Sequence, residues 1–145
     1  MSRDVYPQFY AVNERPVYLT KDDGCFAAWK LDSTTGEFGL DISMIDRILL
    51  SSHGDVDVLS REDFVYVVEG IRAMTFASRR GSRMVIRNDA LRAVYETIAS
   101  ILAPQGSRSH RKTPEEMALV RVLQKQTHEM FEAEIRERGG HGMPA

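Results

Sequence analysis

A single cysteine, Cys25, excludes an internal disulfide, so the chain must be held by packing, hydrogen bonds and charge. Long apolar runs are missing too. Wholly apolar stretches such as "MVI" and "ILL" last only a few residues, too short to cross a bilayer. The opening "MSRDVYPQFYAV" lacks the basic start and apolar core of a signal peptide, so the expected setting is cytoplasmic, without membrane contact. The histidines His53, His110, His128 and His141 are scattered, with no pair at i and i+4 and no second cysteine, which argues against a zinc site. The acids of "KDDG" and "DVD" do not continue into the spaced ligands of a calcium loop. Phosphate loop and dinucleotide fingerprint are absent, and Ser51, Ser52 and His53 form no nucleophile elbow. No metal, cofactor or catalytic residue is therefore expected.

What is present suits a folded globular protein. Of 145 residues, 43% are hydrophobic and 28% charged, which fits one domain over 1–145. Its expected parts are an α+β portion at 1–77, a helical portion at 78–140 and a frayed tail at 141–145. Charge is unevenly spread. Residues 1–70 hold 6 Lys/Arg against 13 Asp/Glu, residues 71–112 hold 9 against 2, and residues 113–145 hold 4 against 6. Blocks of this kind bear on partners and association rates rather than on fold.

From Gln8 to Leu40, "QFYAV", "PVYLT", "CFAAWKL" and "EFGL" are rich in aromatic and β-branched residues and are separated by "NER", "KDDG" and "DSTTG". That pattern predicts a β-meander, with Gly24 and Gly36 supplying turn residues. Asp41 then suits a helix N-cap, and a short helix is expected to about Leu50. "SSHGDVDVL" reads as a loop with a small edge strand. Ser60, with Asp63 three residues on, opens a second helix whose expected inner face is Phe64, Val67, Val68, Ile71 and Met74. Asn88 caps a third helix with the stripe Leu91, Val94, Tyr95, Ile98, Ile101 and Leu102. Thr113 caps a fourth, with Pro114 in its first turn and Gly139 at its stop. Its expected inner side is Leu119, Val122, Leu123, Met130 and Ala133, widened by Val120, Phe131 and Ile135. The fold class is α+β: a small antiparallel N-terminal meander with helices on one face and a helical C-terminal third.

Two places invite a functional reading. A nucleophilic Cys25 would need a base or cation beside it. Strand alternation instead places Cys25 with Ala27, Trp29 and Leu31 on an apolar face, opposite Phe26, Ala28 and Lys30, so burial is expected. The second place is "RRGSRMVIR", where Arg79, Arg80, Arg83 and Arg87 surround Gly81 just before the helix capped by Asn88. Arginine forks, glycine-freed amides and a helix dipole favour an anion there, and Arg108, Arg111 and Lys112 extend the basic set. Neutralisation by the acidic first half is the plainer alternative.

Over residues 8–76, the hairpin, the "LDSTTGEF" turn and the "SREDF" helix start resemble small bacterial domains of unassigned function. Some of these are found beside secreted toxins and are read as immunity proteins. The resemblance implies action by binding and carries no catalytic residue. The expected function is thus a non-enzymatic bacterial binding protein of immunity or inhibitor type, engaging a macromolecular partner, foremost a protein, by charge complementarity. Alternatives are a nucleic-acid-associated regulator using the basic 79–112 stretch, and an enzyme whose site is assembled from distant residues including Cys25 or His53. The long final helix also suits a homodimer contact.

Overall fold

Two tight turns build the meander. Asn13, Glu14, Asp23 and Gly24 have φ of 50, 67, 49 and 80 degrees. Paired positive φ values make the hairpin turn whose twist matches the strands on either side. The computed structural model describes residues 5–50, 54–78, 82–103 and 112–144. Within them the elements run β1 (Gln8–Val12), β2 (Arg15–Asp22), β3 (Cys25–Leu31), β4 (Phe38–Leu40), α1 (Ser43–Leu50), β5 (Val56–Leu59), α2 (Arg61–Ser78), α3 (Asp89–Leu102) and α4 (Pro114–Glu137). The strands form one antiparallel sheet in the order β4-β3-β2-β1-β5. The α+β class and the helical C-terminal part are as expected.

Helices cover both faces of the sheet rather than one. On one face Phe9, Tyr18, Leu31 and Phe38 pack against Phe64, Val65 and Val68 of α2. On the other, Val12, Val17, Leu19 and Ala28 pack against Ile48 of α1. Lys30 shares this second face, yet does not make it wet: its ammonium reaches the Asp41 carboxylate at 3.0 Å just before α1, leaving its stem on the sheet. Cys25 is exposed, contrary to the burial expected from alternation. It stands opposite Asp22 at the hairpin end, past the reach of the covering helices. Trp29, further along, is partly buried against the core.

A third core lies among α2, α3 and α4, around Ala73, Ile86, Leu91, Tyr95, Ile98, Val120, Phe131 and Ile135. The caps form as the sequence predicts. Ser60 Oγ accepts from Asp63 N at 3.0 Å, Asn88 Oδ1 from Ala90 N at 2.9 Å, and Thr113 makes a complete capping box with Glu116. The inner faces of α2 and α4 are rotated from the expected ones. Phe64, Val65, Val68, Glu69, Arg72 and Ala73 are buried on α2, and Val120, Gln124, Thr127, Phe131, Glu132 and Ile135 on α4. Met74, Leu119 and Val122 face outward. The cause is a set of polar groups that pair with one another inside the fold, described below.

The segment 141–144 is docked, not frayed. His141 stacks on Trp29 with ring centroids 3.7 Å apart, and Met143 is buried in the core beneath α2.

Candidate partner-binding surface

The stretch 82–88 joins no sheet, yet it alternates like a strand: Ile86 is buried while Arg83, Val85 and Arg87 are exposed. Neighbours grip its backbone on several sides. Arg83 N donates to Thr34 O at 2.7 Å, and the Arg138 guanidinium donates to Val85 O at 2.9 Å. Arg92 Nε donates to Ile86 O at 2.8 Å. The Glu134 carboxylate accepts from Arg87 N at 3.1 Å and from Asn88 N at 2.8 Å. The Thr34 turn is itself fixed, since Asp32 Oδ1 accepts from Thr34 N at 2.8 Å and from its hydroxyl at 2.6 Å. That hydroxyl bond, with help from Arg83, holds the Asp32 carboxyl below its ordinary range despite partial desolvation. Gly36 closes the same turn at φ 76, and a Cβ there would stand 3.2 Å from both Met84 and Phe131. Only glycine serves both the dihedral and the space.

This geometry revises the anion reading. The amides just ahead of α3 do hold an anion, but it is Glu134 of the same chain. The guanidiniums point elsewhere. Arg83 reaches Thr34 Oγ1 only at 3.4 Å, and Arg87 lines a recess of about 540 Å³ together with Phe76, Met84, Val85, Ile86, Arg92 and Glu96. A surface strip of two arginines flanking an exposed valine, beside a recess walled by both apolar and charged side chains, is what remains for a partner.

Of the other arginines predicted for this surface, Arg79, Arg80, Arg108 and Arg111 lie outside the described residues, as do Gly81 and His53. Lys112 is half-buried just before α4. α4 begins at Pro114, two residues after it, and 20 residues of that helix at 1.5 Å each carry the chain about 30 Å from there to Glu134, which holds the Arg87 strip. Lys112 and the strip are therefore not one patch.

Sequence reasoning missed a buried charge cluster. Arg72 is fully buried; its Nη1 donates to Glu69 Oε2 at 2.7 Å, its Nη2 to Glu132 Oε2 at 2.8 Å and its Nε to Gly36 O at 2.8 Å. Glu69 Oε1 accepts from Tyr95 Oη at 2.8 Å and Thr127 Oγ1 at 2.7 Å. His128 Nδ1 stands 3.5 Å from Glu69 Oε2. Burial alone would push the Glu69 carboxyl up, but Arg72, His128 and Thr127 outweigh it and hold it below its usual range. Burial would likewise pull Arg72 down, yet Glu69, Tyr95 and Glu132 keep its guanidinium firmly charged. Tyr95, desolvated and facing Glu69, is pushed well above the ordinary phenol range. The Glu69 carboxylate and the Arg72 guanidinium are thus occupied by partners inside the fold. Through Gly36 the cluster supports the turn that grips Arg83. The signal was in the sequence: Phe64, Val68, Arg72 and Val120, Gln124, Thr127, Phe131 keep helical spacing when polar members are admitted.

Among the described residues, no group of three His, Cys, Asp or Glu is placed to hold a metal ion, and no helix is long and apolar enough to cross a membrane. No family model, no curated protein and no solved structure matches this chain.

Proposed function

We propose that this is a binding protein of immunity or inhibitor type that engages an acidic macromolecular partner, foremost a protein, through the strip Arg83, Val85 and Arg87. One observation carries the reading. The strip is held in extended form from both sides, by Thr34 and by Glu134 with Arg138, while its arginine and valine side chains are left outward. Preorganisation lowers the ordering cost of association, and arginines flanking an apolar side chain combine steering with a desolvated contact. The resemblance of residues 8–76 to immunity-type domains points the same way.

The test is capture by immobilised protein from an extract of the native host, alongside retention on duplex DNA at low salt. A defined protein retained by the wild type and lost in Arg83→Glu/Arg87→Glu, with the thermal midpoint unchanged, is the expected result. Equal capture by both forms removes the strip from the mechanism. Retention on DNA that falls steeply with salt, and is lost in the double variant, replaces the protein partner with nucleic acid.

A further inference from the structure

The segment 141–144 lies in a cleft built by distant parts of the chain. The His141 ring stacks on Trp29 at an interplanar angle of 17°. Phe38 N donates to His141 O at 3.2 Å, Met143 N to the Glu132 carboxylate at 2.6 Å, and the Arg61 guanidinium to Pro144 O at 3.1 Å. Tyr18 Oη lies 2.8 Å from Gly142 O and 2.5 Å from His141 Nε2. One hydroxyl proton cannot serve both. With that proton on the Gly142 carbonyl, His141 supplies Nε2–H to the Tyr18 oxygen, and each partner is satisfied. Met143 enters the cluster that holds Phe9, Tyr18, Phe38 and Phe64.

These contacts have the character of peptide recognition. Main-chain groups of an extended segment are read by side chains and one strand amide, a ring lies on an aromatic shelf, and an unbranched thioether fills an apolar hole. The segment is also separable from what precedes it. Gly139, at φ 72, ends α4 in the left-handed conformation, and Gly140 N donates to Ile135 O at 2.9 Å, so the helix is terminated without help from 141–144. Met143 is the segment's one contribution to its core cluster, whose other members belong to the sheet and α2.

We propose that the cleft between Trp29, Tyr18, Phe38 and Glu132 is a peptide-binding site, self-occupied by 141–144. Its partner is an extended segment presenting an aromatic or imidazole ring two residues before a methionine. The chain's own segment competes for the site at high effective concentration, and an incoming segment must displace it. This site is separate from the arginine strip.

Binding of a fluorescein-labelled peptide, GGHGMPA, to the full-length chain tests the proposal by polarisation. Met143→Asp, which sets a carboxylate in the apolar cluster of Phe9, Tyr18, Phe38 and Phe64 in place of the thioether, weakens the internal competitor. The labelled peptide is then expected to bind this variant at least about tenfold more tightly than the wild type. Trp29→Ala in the same background, or a GGHGDPA peptide, abolishes the signal, whereas Arg83→Glu/Arg87→Glu leaves it unchanged. A folded Met143→Asp protein with native near-UV dichroism and no saturable binding overturns the proposal. Loss of the native fold in that variant overturns it equally, because Met143 is then an indispensable part of the core.

Discussion

Arg72 is the residue on which two halves of the molecule meet. Its guanidinium joins Glu69 of its own helix, Glu132 of α4 and the Gly36 carbonyl of the β3–β4 turn, and its carbon lies 4.4 Å from the Phe131 ring centroid. A buried ion pair gives weak net stability because desolvation offsets attraction, but removing one partner leaves the others charged and dry. Arg72→Met should therefore cost about 3–5 kcal/mol, read as a lowered urea midpoint at unchanged m-value. Replacing Arg72, Glu69 and Glu132 together by apolar residues of like volume should recover most of that loss. A cost below about 1 kcal/mol for Arg72→Met would mean that the two carboxylates find other partners. Cys25 is the counterexample at this scale: it is exposed at a hairpin end, outside the packed cores, and among the described residues no base is bonded to it.

At the scale of elements, the parts set by local rules were legible beforehand. Hairpin turns need positive φ, caps need Ser, Thr or Asn at defined offsets, and the stripe of α3 is apolar throughout, so nothing misleads the eye. For α2 and α4 the apolar periodicity predicts the span but not the facing. Their inner sides carry Glu69, Arg72, Gln124, Thr127 and Glu132, whose burial depends on partners about 60 residues away. Local periodicity cannot reveal such pairing. The same holds for 82–88, whose extended form comes from Thr34, Glu134 and Arg138 rather than from its own composition. Glu134 is the most informative probe of that grip. Glu134→Ala should remove its acceptor from Arg87 N and Asn88 N, cost about 1–2 kcal/mol, and speed amide exchange at both positions while leaving the α2 amides protected. Unaltered exchange at Arg87 and Asn88 would show that Thr34 and Arg138 suffice.

Across the whole molecule, the buried groups define a pH window of stability. The folded-state pKa of Glu69 lies below its ordinary 4.5, so below 4.5 the unfolded chain takes up a proton that the native state refuses. Stability from this group is complete above pH 4.5 and is lost as pH falls toward the depressed folded value. Asp32 and Asp41 act in the same direction, but near the surface, where solvent screens them. At the alkaline end the sign reverses. Tyr18 and Tyr95 are raised above the ordinary 10.0, chiefly by burial, so above pH 10 the unfolded chain loses protons that the native chain keeps, and stability falls. Urea unfolding across pH should thus give a plateau bounded near these two values, with cooperative loss on both sides. In Glu69→Gln the acid limb should flatten while the alkaline limb loses only the part of Tyr95's shift that Glu69 supplies. An acid limb of undiminished slope in that variant would assign acid sensitivity to the surface aspartates and remove the buried cluster from control of the fold. A flattened limb would tie the turn gripping Arg83, through Gly36 and Arg72, to one carboxylate at the centre of the protein.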